Sequence, residues 1–186
     1  MIWIAHAKII KNMKTIVFVL LIAFNASQAF AKNDVGVYTY TELTAGFMMQ
    51  LNTIEMTISN GHNVISVKDC KDKLGYKCMV AKGPFFIFPT SNISVGMGWE
   101  HEGQRFNVVR KVDRQILGKK YAVFIIEQKD GDDTYWYLFS REVGLLAFGV
   151  KNSKLTSTFI LNERCGFAAS NRCKNYLKTK SKVGLD

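Results

Sequence analysis

The sequence is poor in the residues that define several whole classes of protein. With 2 Pro and 14 Gly in 186 residues, it is neither collagen-like nor low-complexity. There are 3 His in all, and only His62 and His101 lie beyond the N-terminal apolar run, which leaves little imidazole for metal or acid–base chemistry. No Gly-x-Ser-x-Gly elbow, His-Glu-x-x-His pair, phosphate loop or dinucleotide fingerprint occurs. Beyond residue 24 no apolar run approaches the roughly 20 residues that a membrane-crossing helix needs. Internal repeats and domain linkers are absent from the pattern. Acidic residues are also scarce, 15 against 25 Lys plus Arg, so the formal charge is +10.

What is present points to one folded domain. A hydrophobic fraction of 48% is too high for a disordered chain of high net charge, and the length suits a single core. Ile16 to Phe24 is an uninterrupted apolar run preceded by Lys8, Lys11 and Lys14 and followed by small residues ending in Ala29-Phe30-Ala31. A basic stretch, a short apolar stretch and an Ala-x-Ala site define a secretory signal peptide, residues 1–31, with cleavage expected after Ala31 and Ala29 as the alternative. Met13-Lys14 would by itself open a compact signal peptide, so residues 1–12 read as an upstream extension. The remainder is expected to comprise a β domain over 32–163 and a disulfide-containing basic C-terminal tail over 164–186.

That division also distributes the charge. The first 31 residues carry +3 from their lysines, and Arg164 to Asp186 carries six basic residues against one acid, or +5. The body from Lys32 to Glu163 holds 16 basic and 14 acidic residues, only +2. Nucleic acid is therefore not an expected partner of the fold itself. The tail residues Lys174, Lys178, Lys180 and Lys182 are candidates for contact with an anionic membrane surface or an acidic partner.

All four Cys lie in the body and tail, as Cys70, Cys78, Cys165 and Cys173, each pair separated by seven residues. An even count in an exported chain favours disulfides. Zinc fits less well, because structural sites prefer two to four residues between paired Cys and no His is near either pair in sequence. Of the three connectivities, the local one, Cys70 with Cys78 and Cys165 with Cys173, is favoured because Asp72-Lys73-Leu74-Gly75 can turn the chain. Such short loops stabilise by about 2.5 kcal/mol each in the chain-entropy picture.

Alternating and β-branched segments dominate the pattern. Val35 to Leu43 and Thr53 to Ser59 alternate with period two, the second placing Ile54, Met56 and Ile58 on one face. Asn60-Gly61 predicts a type I′ hairpin, with Asn63 to Lys68 returning. Phe85 to Phe88 lies between Pro84 and Pro89, as a short edge strand would. Arg105 to Val112, Lys119 to Gln128, Thr134 to Ser140, Leu145 to Val150 and Leu155 to Leu161 read as five strands. Their connections are too short for parallel crossovers, so they form an antiparallel meander. Tyr121 to Ile126 is apolar on both faces, which calls for a sandwich, a curled half-barrel or a helix across the sheet. Helical candidates are Thr44 to Leu51 and Ser170 to Lys180. The expected class is mainly β, an antiparallel meander forming a sandwich or curled half-barrel with one or two short helices.

Candidate chemistry is sparse. Glu100-His101-Glu102 contains acid–base and metal-ligand types, but in a strand the two carboxylates share one face and the imidazole takes the other. Asp130, Asp132 and Asp133 around Gly131 lack the order and the later bidentate Glu of a calcium loop and read as a hairpin turn. The aromatic runs Phe85 to Phe88 and Tyr135 to Tyr137 read as core. No cofactor is expected. The expectation is an exported, non-enzymatic binding or accessory module of the envelope or extracellular space, partnered by a protein or envelope component. Two alternatives stand beside it. One is an open-barrel carrier of an apolar or lipid ligand, with a cavity under Phe124, Ile126 and Trp136; the other is a hydrolase or metalloenzyme centred on Glu100, His101 and Glu102.

Overall fold

The computed structural model describes residues 36–70, 75–80, 85–116, 119–153, 155–173 and 175, within one compact unit, Val35–Asp186. The described strands are β1 (Val37–Glu42), β2 (Met48–Asn52), β3 (Thr57–Ser59), β4 (Val64–Ser66), β5 (Tyr76–Val80) and β6 (Phe85–Pro89), then β7 (Gly98–His101), β8 (Gln104–Ile116), β9 (Lys119–Asp130), β10 (Asp133–Ser140), β11 (Gly144–Lys151) and β12 (Thr156–Leu161). Ten form one sheet in the order β4-β3-β2-β1-β12-β11-β10-β9-β8-β7, and β5 pairs with β6 in a second. Every pairing is antiparallel. The large sheet does not close; β4 and β7 are its edges. The expected mainly antiparallel β class is what forms, as a large sheet partly covered by a small one.

The meander β7 to β12 follows the short connections read from the sequence. The N-terminal strands β1 to β4 are joined to it by β1 pairing with β12, Tyr40 opposite Leu161 and Glu42 opposite Phe159. Alternation puts Tyr38 and Tyr40 on the covered face of the large sheet, where they are buried together with Leu51, Phe106, Ile126, Tyr137 and Phe148. Strand β6 lies over this face. Phe86 meets Phe148 edge-on at 5.0 Å and Phe88 stacks on Phe139 at 4.7 Å. Phe86, Ile87 and Phe88 are fully buried, so consecutive residues of β6 are enclosed on both sides. A fully buried side chain of this kind contributes about 1.5–3 kcal/mol.

Two polar devices fix the packing. The Tyr40 hydroxyl donates to the Leu145 carbonyl at 3.0 Å and accepts from the Phe167 amide at 3.2 Å, stitching β1, β11 and the C-terminal segment together. Deeper in, the Tyr137 hydroxyl donates to Gln128 Oε1 at 2.8 Å, and Gln128 Nε2 donates to Gln104 Oε1 at 3.1 Å. A buried amide survives in an aromatic core only with such partners.

The disulfides Cys70–Cys78 and Cys165–Cys173 both form, with Cα separations of 5.7 and 6.0 Å, as the local pairing predicts. They suit an oxidising compartment. Among the described residues no helix is long and apolar enough to cross a membrane.

Several local expectations are overturned. Thr44 to Leu51 is not a helix: Gly46 adopts φ 72° in a turn whose amide reaches back to the Glu42 carbonyl, and Met48 onward pairs with β1 as β2. The strand expected from Thr53 begins only at Thr57. Asn52 Oδ1 accepts the amides of Ile54 and Glu55, Met56 takes φ 52°, and Ile54 faces solvent. The Asn60-Gly61 hairpin exists, but the Asn60 amide bonds the Asn63 carbonyl across a longer loop, with Asn60 Oδ1 accepting from His62 and Asn63. Of the helix expected over Ser170 to Lys180, residues 171–173 and 175 are helical, Ser170 is not, and 174 and 176–180 lie outside the described residues.

Two carboxylates beside β1 carry opposite pH linkage. Glu42 is buried and accepts from the amides of Ala45 and Thr44 and from the Ser157 hydroxyl. The Ala45 amide foremost holds its carboxyl below the ordinary 4.5, against the opposing effect of burial. Its stabilisation is present above pH 4.5 and is lost as pH falls through the lower folded value. Glu163 accepts the Thr39 amide with both oxygens, at 3.0 and 2.9 Å, yet burial raises it. Here stability is lost as pH rises from 4.5 through the raised value. Thermal unfolding across acid pH should show E42Q flattening the loss below 4.5 and E163Q removing the loss above it. Superimposable profiles for wild type and E42Q would refute the first assignment.

Candidate binding cleft

Where β6 ends, the cover over the large sheet stops and an open cleft of about 700 Å³ remains. Its floor is apolar, from Phe124 on β9, Phe139 on β10, and Pro89 and Ile93 at and beyond the end of β6. Lys77 of β5, Lys111 of β8 and Arg141 of the β10–β11 turn stand around it, with Glu142 the one acidic residue of the lining among the described residues. Ala168, Ala169, Ser170 and Asn171 form a further wall, and Thr90, Ala122 and Ser140 also line the cleft. Three cations over an apolar floor suit a ligand with an anionic head and an apolar body.

The position of Lys111 depends on a bulge. Phe106 and Val108 are buried opposite Gln128 and Ile126, and continued alternation would next bring Arg110 to that side. Register instead shifts between Val108 and Arg110, leaving Val109 as the extra residue, and Lys111 comes opposite Phe124. A bulge re-aims the following side chains in this way. The same device recurs between Leu138 and Phe139, where Phe139 pairs with Leu145.

The Ala168 wall is anchored by backbone bonds. Leu145 donates to the Phe167 carbonyl at 2.8 Å, Gly166 to Val143 at 2.7 Å, and the Ser170 hydroxyl to the Glu142 carbonyl at 3.0 Å. The disulfide Cys165–Cys173 brackets this segment, and Cys165, Phe167 and Ala169 are buried. A second opening of about 330 Å³ shares Lys77 and Ala168 and reaches Tyr38, Asp69 and Met79.

The residues singled out from sequence fall elsewhere. Glu100 is exposed on β7 opposite Arg105, whereas Trp99 and His101 turn to the other side. Glu102 lies in the turn at φ 49° with its Oε1 3.9 Å from His101 Nε2. The three therefore do not converge. His101 instead approaches Cys70, its Nε2 3.4 Å from Sγ. Among the described residues no three His, Cys, Asp or Glu side chains are grouped so as to hold a metal ion. His62 is exposed in the β3–β4 hairpin loop, and Asp133 Oδ1 accepts from Asn152 at 2.8 Å beside the β9–β10 turn. The expected cavity under Phe124, Ile126 and Trp136 does not form as such. Trp136 is opposite Glu127 and so faces away from Phe124 and Ile126; its ring crowds Gly149, whose added Cβ would come 2.6 Å from Cζ2. Lys174, Lys178, Lys180 and Lys182 lie outside the described residues, as does the N-terminal segment through residue 35.

Fold and cleft together define an open, two-layered antiparallel β protein with a cation-rimmed apolar recess. The chain matches no protein-family model, no curated protein and no solved structure.

Proposed function

We propose that the protein is an exported, non-enzymatic binding module whose ligand is a small amphiphilic anion seated in the cleft under Lys77, Lys111 and Arg141. The observation that carries this reading is the combination of an apolar floor at Phe124 and Ile93 with three cations and one acid around it. The interior that a fully enclosed lipid carrier would use is filled by Phe86 and Phe88. The ligand is thus only half enclosed, with its acidic end toward solvent and the cationic side chains. Export rests on the basic and apolar N-terminal pattern, ending in Ala31, and agrees with the two disulfides.

Calorimetric titration with dodecanoate below its micellar concentration tests the binding. Reversing two rim charges, Lys111→Glu with Arg141→Glu, should weaken dodecanoate by about tenfold or more, since each exposed charge acts mainly through local Coulomb attraction. Dodecyltrimethylammonium should bind the native cleft poorly. Equal affinity for the two amphiphiles, or an unchanged dodecanoate affinity in the double variant, would sink the proposal. Export is checked separately by N-terminal sequencing of the secreted chain, expected to begin at Lys32.

A further inference from the structure

The two disulfides occupy contrasting chemical settings. Cys165 is buried within the docked C-terminal segment, and Cys173 Sγ has a carbonyl oxygen, that of Arg164, 3.9 Å away. A carbonyl lone pair beside sulfur disfavours a thiolate. The other bond has a polar nitrogen near each sulfur. The Cys70 amide donates to Cys78 Sγ at 2.8 Å, and His101 Nε2 stands 3.4 Å from Cys70 Sγ. Cys78 is buried in β5, whereas Cys70 is half-buried. These partners come from distant parts of the chain: His101 ends β7, 31 residues beyond Cys70.

We infer that Cys70–Cys78 is a thiol–disulfide exchange site that accepts electrons from a dithiol of an exported partner protein, with His101 as its positioning residue. One thiolate of the partner attacks Cys70 Sγ in line with the bond to Cys78. The new sulfur–sulfur bond joins the partner to Cys70, and the breaking bond leaves its electron pair on Cys78 Sγ. The Cys70 amide points at that sulfur and stabilises the leaving thiolate. The partner's second thiolate then attacks its own sulfur in the mixed disulfide and releases Cys70 as a thiolate beside the imidazole. The partner ends as a disulfide, this chain as two thiols, and the two protons of the dithiol end on Cys70 and Cys78. A cationic His101 favours the thiolate of Cys70, as a neighbouring histidine does at other reactive cysteines, and so favours the reduced form.

The test uses the intact chain equilibrated at pH 6 over a series of reduced-to-oxidised dithiothreitol ratios, quenched with acid, differentially alkylated and read peptide by peptide by mass spectrometry. Cys70–Cys78 should reach half-reduction at a ratio about tenfold below that of Cys165–Cys173, a separation of about 30 mV for a two-electron couple. His101→Gln should raise the ratio needed for Cys70–Cys78 about threefold or more and leave that of Cys165–Cys173 in place, and His101→Lys, which places a fixed cation there, should lower it again. The second disulfide is the control for folding, because a variant that merely unfolds moves both. Joint reduction of the two bonds at one ratio would overturn the inference. So would a Cys70–Cys78 midpoint indifferent to His101→Gln, or one that moves only together with the control.

Discussion

Replacing Phe88 with Ala should lower the unfolding free energy by about 3–5 kcal/mol, among the largest effects of any single truncation in this chain. Phe88 is fully buried and joins the two sheets. Its ring stacks on Phe139 at 4.7 Å and meets Tyr137 and Phe167 edge-on at 5.6 and 6.1 Å. Those neighbours belong to β10 and to the C-terminal segment, while Phe88 itself lies on β6, so no one strand can move to fill the space left. Lost transfer energy and an unfilled cavity therefore add. In urea unfolding followed by tryptophan fluorescence, the midpoint should fall without a change in slope, because the loss lies in the native packing. Heat denaturation should shift by about 2–4 °C for each kcal/mol in a chain of this size. A loss under about 1 kcal/mol would mean that β6 is not held against the large sheet as described.

Much of the sheet was legible because its signals are local. From Gln104 to Leu161, two-residue alternation and short polar connections specify five antiparallel strands, and the Gly131 turn between β9 and β10 is where the Asp-rich stretch places it. The cysteine pairs were legible for the same reason, being eight positions apart. Thr44 to Leu51 was misread because the pairing of β2 with β1, Met48 opposite Thr41, outweighs local propensity. The cleft was hidden for a different reason. Lys77, Lys111 and Arg141 come from three separate elements, and Lys111 reaches the covered side only through the bulge at Val109, which no alternation rule announces. Sequence drew attention to His101 through its neighbours Glu100 and Glu102. The sulfur beside it, that of Cys70, comes instead from the chain before β5. The basic tail looked like an appendage by composition, yet Cys165, Phe167 and Ala169 supply buried core.

That docked segment gives the second large effect. Gly166→Ala should cost about 3 kcal/mol or more, because the added Cβ has no room and the obstacle is backbone. Built at Gly166, it would overlap the Leu145 carbonyl oxygen and lie 2.9 Å from the Leu145 carbonyl carbon. Neither chain can yield cheaply. Gly166 donates to Val143 at 2.7 Å, Leu145 donates to Phe167 at 2.8 Å, and the Tyr40 hydroxyl bonds both Leu145 and Phe167 from below. Gly61→Ala is the matched control. Its φ of 84° imposes backbone strain of about 1–2 kcal/mol, but nothing lies within 4 Å of the new methyl. If close approach is the cause, Gly166→Ala must exceed Gly61→Ala in thermal unfolding, and amide exchange must accelerate at Leu145 and Phe167. The Cys165–Cys173 bond should still form, since its loop is local. With it intact, the loosened segment carries the Ala168–Ser170 wall away from the floor at Phe139, so dodecanoate binding should weaken even though no residue that touches the ligand has changed. Equal destabilisation by the two alanines would instead assign the effect to backbone conformation and leave the docking of this segment without energetic support.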